Sequence, residues 1–179
     1  MIDYYIFDVD QTLAANQKQG FDSDEEYYAS RSDDPLTPLA ASLLGSICRS
    51  TSKVIILTGR EANMSKLTLK WVKAKGINIE YISCRPDSMR YGVTSQEEIN
   101  HNKAERFLSM VENTLLATAM DIEFEDIAIH VFDDCPDTLN LYMAQLEDLK
   151  LHHDRRLSVY AYQVDHETLT LVRTCHNGP

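Results

Sequence analysis

Three stretches of this chain run apolar for about the length of a β-strand and then stop at charged or hydroxyl residues: "YYIFDVD" at 4–10, "KVIILTGR" at 53–60 and "DIAIHVFDDCPD" at 126–137. Continuous β-branched and aromatic runs of this kind are strands covered on both faces, which belong to parallel sheets with helices above and below. The polar residues at their ends are Asp8 and Asp10, Thr58 with Arg60, and Asp133, Asp134 and Asp137. In an open parallel sheet the ligand crevice lies beyond the carboxyl ends of the strands, so residues far apart in sequence can meet there.

The segments between the strands carry helical signals. Leu39, Leu43, Leu44 and Ile47 keep helical spacing, with Pro35 and Pro38 at or just before the start. Leu67, Trp71 and Val72 predict a helix over 62–75 that stops at Gly76, a natural C-cap. "INIEYIS" at 77–83 reads as a third strand and "CRPDSMRYGVTSQ" as a loop rich in turn formers. Ser95 and Glu98 form a capping box that opens a helix carrying Lys103, Phe107, Leu108 and Val111, while the stretch onward to Glu125 shows no clear period. A helix with Leu139, Tyr142, Met143, Leu146 and Leu149 follows Pro136, and "LSVYAYQV" and "LTLVRT" predict a closing strand pair at 157–174. Strands alternating with helices give an α/β class: a three-layer α/β/α Rossmann-like fold around a mainly parallel sheet.

At 179 residues the chain is read as a single domain over 1–179. No apolar run reaches the length of a membrane span, and the N-terminus enters a strand carrying Asp3 instead of a basic, then apolar, signal segment, so a cytoplasmic protein is expected, with no membrane partner. Cys48, Cys84, Cys135 and Cys175 show no C-x-x-C or zinc-like spacing and read as free thiols. The six histidines lack metal spacing as well. A net charge of -11 argues against loose, charge-driven adhesion to nucleic acid or anionic lipid, so any phosphate must be captured locally.

Carboxylates at the mouth of an apolar strand are costly unless something pairs with them. Clustered carboxylates suit magnesium, a hard cation that takes oxygen ligands and can hold a phosphoryl group. A plain turn and helix-cap pair is the other reading of Asp8 and Asp10.

Taken in order, "DVDQT", "ILTGR", Lys103 and "VFDDCPD" resemble the four motifs of the haloacid dehalogenase (HAD)-like phosphohydrolases, over nearly the whole chain from Tyr4 to about Leu149. The resemblance implies that Asp8 is a nucleophile forming an aspartyl-phosphate, and that Asp10 is the acid and base on the leaving oxygen and the water, its backbone carbonyl on the metal. Thr58 and Lys103 would stabilise the phosphoryl charge, and Asp133 would be the main carboxylate on Mg2+, with Asp134 and Asp137 ligating through water or orienting neighbours. The metal set so implied is Asp8, Asp10, Asp133 and Asp134. Read alone, Lys103 could equally be a solvated lysine on a helix face, as Lys66, Lys70 and Lys73 are, and Asp137 could serve the first turn of its helix. Gln11 departs from the family, which commonly has Gly or Asn there; the turn is expected to be tighter or reoriented.

Short connections leave no room for a large cap, so bulky substrates are admitted. The stretch "LTGREANMSKLTLKWVKAKGI" is similar to the 3'-phosphatase domain of phage-type polynucleotide kinase-phosphatases and to related RNA-repair phosphatase domains. By that likeness Gly59 and Arg60 bind phosphate, Arg60 through its planar guanidinium, unless Arg60 instead makes a structural ion pair with Glu61 or Asp134. Arg85, Arg90 and Tyr91 form a basic and aromatic group that could stack on a base and touch a backbone phosphate, or be solvated loop residues. The activity implied is that of a magnesium-dependent phosphomonoesterase on 3'-phosphates of nucleic-acid ends or nucleotides. A nucleotidase for free mononucleotides or other small phosphate esters, and a non-catalytic phosphate-binding protein, are the alternatives.

Overall fold

The computed structural model describes residues 2–15, 26, 31–47, 51–90, 92–121, 126–148, 157–165 and 168–177, with the backbone alone at 114–121, 147–148 and 175–177. Its centre is a six-stranded sheet in the order β3-β2-β1-β4-β5-β6, with β1 at Ile2–Phe7, β2 at Ser52–Glu61, β3 at Tyr81–Arg85, β4 at Ile127–Asp133, β5 at Leu157–Val164 and β6 at Leu169–Asn177. All pairings are parallel except β5 with β6, which run antiparallel. Four α-helices are described: α1 at Pro38–Ser46, α2 at Ser65–Ala74, α3 at Gln96–Asp121 and α4 at Pro136–Asp148.

The period-2 alternation of β1 sorts its residues between two cores. Tyr4 and Ile6 join Ile129, Val131, Val159 and Ala161 beneath Ala104, Phe107 and Val111 of α3 and Leu139, Tyr142 and Met143 of α4. Phe7, on the opposite face, packs with Ile56 and Phe132 against Ala40 of α1 and Trp71 and Val72 of α2. The expected three-layer α/β/α, Rossmann-like arrangement is what forms.

The sheet reverses direction of growth at β1, which lies between β2 and β4. That switch point is where the crevice of an open α/β sheet opens, and here it is flanked by the residues after β1 and the end of β4.

Local signals explain most of the helix boundaries. Pro38 opens α1 behind Thr37, whose hydroxyl accepts from Ala40 N at 3.1 Å and donates to the Thr12 carbonyl at 2.8 Å, tying the turn after β1 to the helix. The Ser95–Glu98 capping box forms as expected, with Glu98 N donating to Ser95 Oγ at 3.2 Å and Ser95 N to Glu98 Oε2 at 3.0 Å. Gly76 takes the left-handed conformation (φ 72°) after α2.

Other expectations shift. In α2 the buried stripe is Thr68, Trp71 and Val72, while Leu67 is 38% exposed. β3 starts four residues later than the sequence suggests, because it is an edge strand whose ladder with β2 begins at the Ile55–Tyr81 pair, and it ends later, at Arg85. α3 runs on to Asp121 through the stretch that lacked a period. Between β2 and α3 the chain builds only a 3-10 turn at Ala62–Met64, α2, β3 and turns, so no cap domain stands there among the described residues. Tyr91, Cys48, His152, His153, His166 and residues 16–25 and 27–30 of the connection from β1 to α1 lie outside the described residues.

Candidate functional site

Asp8 and Asp133 end neighbouring parallel strands: Phe7 pairs with Phe132, so the two carboxylates leave the sheet side by side. Lys103, on the first turns of α3, reaches between them. Its Nζ lies 2.8 Å from Asp8 Oδ1 and 2.7 Å from Asp133 Oδ2. All three side chains are buried. A lysine so placed is not a solvated helix residue, unlike Lys66, Lys70 and Lys73, which are exposed. Asp133 is held further by the Tyr142 hydroxyl, which donates to Oδ2 at 3.1 Å, and by Cys135 N, which donates to Oδ1 at 3.0 Å.

One oxygen from each of Asp8, Asp133 and Asp134 falls within 4.8 Å of the others. Three carboxylates and one ammonium leave this cluster short of positive charge. Burial pushes the Asp8 carboxyl up to about 7 against the pull of Lys103, with Asp133, Asp134 and Asp10 adding to the rise. Burial likewise raises Asp134 to about 6, with Asp133 adding to it. Lys103 moves well above its ordinary value: burial opposes its charge, and the two aspartates more than compensate. The ammonium therefore stays charged.

This donor set fits a divalent, oxygen-preferring cation: it is all carboxylate, and its charge is incompletely balanced. Both oxygens of Asp133 already accept hydrogen bonds, whereas among the described residues no side chain donates to Asp134, which accepts from its own backbone N–H, or to the second oxygen of Asp8. Asp137 is exposed in the first turn of α4 and is absent from the cluster. No described backbone N–H donates to the Asp10 carbonyl, since the bridge that closes the turn runs from Ala14 N to Val9 O and from Gln11 N to Ala14 O.

Gln11 holds φ 61° in that turn. The turn thus keeps the left-handed conformation that glycine or asparagine would adopt easily, and the expectation of a reoriented turn gives way to one of local strain.

Asp10 points to the other side of the site, and its partner was not legible from the sequence. Arg60 grips it through both oxygens, Nε to Oδ2 at 3.0 Å and Nη2 to Oδ1 at 2.7 Å, and also donates to Thr68 Oγ1 at 3.3 Å. The ion pair seen for Arg60 is this fork to Asp10, where the alternative reading had named Glu61 or Asp134. Glu61 instead meets Arg85 at 3.2 Å. Thr58 is fully buried, and its hydroxyl accepts from Arg60 N at 3.2 Å.

Of the group Arg85, Arg90 and Tyr91, the two described arginines do not share a loop surface. Arg85 ends β3 with no exposure, and its guanidinium donates to Gly59 O at 2.8 Å, to Met89 O and to Glu61. It is a structural lock on the turn after β3, because an arginine with its donors turned inward has none facing solvent. Gly59 is held by this lock through its carbonyl. Arg90 is exposed, and its carbonyl closes the turn that leads to α3. Arg106 and Tyr142 escaped the sequence reading. Arg106 sits on the Lys103 face of α3, and Tyr142 looked like one more core position of α4.

No protein-family model matches the sequence, and no curated protein matches it. Among solved structures the chain is similar to one from the structure of the Pnkp1/Rnl/Hen1 complex, with a TM-score of 0.55 and 20% sequence identity, over 80% of this chain and 43% of that one. At this identity the likeness bears on the fold alone. The chain spans less than half the length of that solved chain.

Proposed function

We propose that this chain is a phosphomonoesterase of the haloacid dehalogenase-like type, acting through an aspartyl-phosphate on Asp8 and dependent on Mg2+. The single observation that carries the reading is the buried contact of Lys103 with both Asp8 and Asp133, which joins three of the four ordered motifs in one charge-deficient cluster. A stretch of acidic turns has no reason to bury a lysine between two strand-end aspartates.

When bound, Mg2+ supplies Lewis-acid neutralisation of the phosphoryl oxygens, and Asp8, Asp134, Asp133 and the Asp10 carbonyl are the groups that would hold it. The chain's own residues do the rest. Asp8 attacks phosphorus while Lys103 balances the charge shared by nucleophile and phosphoryl group. Asp133, fixed by Tyr142 and Cys135 N, holds Lys103 in place. Asp10 gives a proton to the leaving oxygen and later takes one from the hydrolytic water. Arg60 orients Asp10, a role different from clamping phosphate. Thr58 supplies a hydroxyl to a phosphoryl oxygen.

As substrate class we assign 3'-phosphates of nucleic-acid ends or nucleotides. The support is the local resemblance of the stretch from Leu57 to Ile77 to polynucleotide 3'-phosphatase domains; the fold shared with a chain of the Pnkp1/Rnl/Hen1 complex is in keeping with it. Release of inorganic phosphate from a 3'-phosphorylated oligonucleotide, a 5'-phosphorylated one and free mononucleotides, with magnesium and with a chelator, tests the reading. Preference for the 3'-phosphorylated oligomer and loss of turnover in chelator are expected. Turnover that persists in chelator would remove the metal from the account, and preference for mononucleotides would favour a nucleotidase.

A further inference from the structure

The β2–β3 ladder breaks where β2 carries its site residues. Leu57 pairs with Ser83 and Glu61 with Arg85, so four steps along β2 match two along β3. Two carbonyls between those pairs accept from side chains: Gly59 O from Arg85 Nε at 2.8 Å, and Thr58 O from Arg106 Nη2 at 3.1 Å. Arg106 lies three residues beyond Lys103, which places both on one face of α3. Its guanidinium also donates from Nε to Asn102 Oδ1 at 3.0 Å and from Nη1 to Ser83 Oγ at 3.1 Å. One planar fork therefore joins α3, β2 and β3 through three neutral acceptors in three directions, which a lysine ammonium on a flexible stem cannot reproduce.

We propose that Arg106 is a positioning residue of the site: by holding the Thr58 carbonyl to α3, it fixes segment 58–60 in register with the Lys103 ammonium one helical turn away. That hold is the side-chain tie of the Thr58 carbonyl to α3 across the interrupted stretch of β2. Without it, Thr58 Oγ1, and Arg60 with the Asp10 it grips, lose their fixed distance from Asp8. The inference rests on the phosphatase reading only for the ligand, since the tie between α3 and the break in β2 is independent of turnover.

Inorganic phosphate with magnesium is the probe, titrated calorimetrically against the wild-type chain, Arg106→Gln and Arg106→Lys. Thermal unfolding and the NMR signals of the Thr58 carbonyl carbon and Gly59 amide nitrogen, the two sides of the held peptide bond, are followed beside it. Arg106→Gln is expected to weaken phosphate about tenfold, equivalent to about 1.4 kcal/mol. Both NMR signals should move, and Arg106→Lys should recover only part of the affinity. If Arg106→Gln fails to fold, the Asn102→Ala and Ser83→Ala pair, which removes two of the fork's three anchors, should give the same direction of change. Affinity within twofold of wild type, or a loss of affinity with the signals at 58 and 59 unmoved, would overturn the inference. A wild-type chain that binds phosphate but hydrolyses no ester would defeat the proposed function and leave the positioning role to be decided by the affinities. A wild-type chain that binds no phosphate would overturn both.

Discussion

Lys103→Met removes a buried cation that touches Asp8 at 2.8 Å and Asp133 at 2.7 Å while keeping an unbranched side chain of similar length. Breaking a buried pair by deleting one partner costs about 3–5 kcal/mol, because the remaining charge is left uncompensated. The low end, about 3 kcal/mol, applies here, since Asp8 can take up a proton once the ammonium is gone. Burial already pushes that carboxyl up to about 7 with Lys103 present. In the variant Asp8 keeps its proton to higher pH than in the wild type. The variant's native state then binds more protons near and above pH 7, so its deficit grows as pH rises and shrinks, by up to about 1.4 kcal/mol per pH unit per proton, as pH falls. For a chain of this size 3 kcal/mol corresponds to a fall in Tm of about 6–12 °C. Urea unfolding followed by circular dichroism at pH 6 and pH 8, in chelator and with equal slopes required, measures both numbers. A deficit under about 0.5 kcal/mol at pH 8, or an equal deficit at the two pH values, would show that the ammonium is not the electrostatic centre of the cluster.

Four other outcomes are expected. Gln11→Gly relieves the left-handed backbone at φ 61° and should raise stability by up to about 1 kcal/mol in the same urea assay, with no gain meaning that the turn is unstrained. The raised Asp8 and Asp134 carboxyls, at about 7 and about 6, make the metal-free native state hold protons that the unfolded chain has released. Metal-free stability should therefore fall as pH rises from about 4 to 7 and level off above. Asp134→Asn should flatten the lower part of that fall and raise stability at pH 7 by about 1–2 kcal/mol, which Tm against pH in chelator reads directly. Arg60→Ala, which frees Asp10, should slow an aryl phosphate and a 3'-phosphorylated oligonucleotide by similar factors; a loss confined to the oligonucleotide would return Arg60 to substrate recognition.

What the sequence revealed and what it hid divide along physical lines. Asp8, Thr58 and Asp133 were legible because an apolar strand ending in a polar group is a local pattern, and the capping box at Ser95 placed Lys103 near a helix start. The partner of Arg60 was not, because the fork to Asp10 spans fifty positions and depends on how two parallel strands align. Arg85 was misplaced for a related reason: turn formers follow it, yet the ladder with β2 carries the strand one pair further, to Glu61, and draws the guanidinium inward. Tyr142 fell among core positions and is core, but its hydroxyl reaches Asp133. Arg106 left a single signal, its spacing from Lys103, and that gains meaning only with the break in the β2–β3 ladder.

Esterification of Asp8 is the claim on which the rest depends. A reaction with substrate and magnesium, quenched in acid within the first turnover and reduced with borohydride, converts an aspartyl-phosphate to homoserine, which peptide mass spectrometry can place. Homoserine at position 8, and none in Asp8→Asn, is the predicted result. Phosphate release by the wild-type chain with no modification at position 8, or turnover retained by Asp8→Asn, would contradict it.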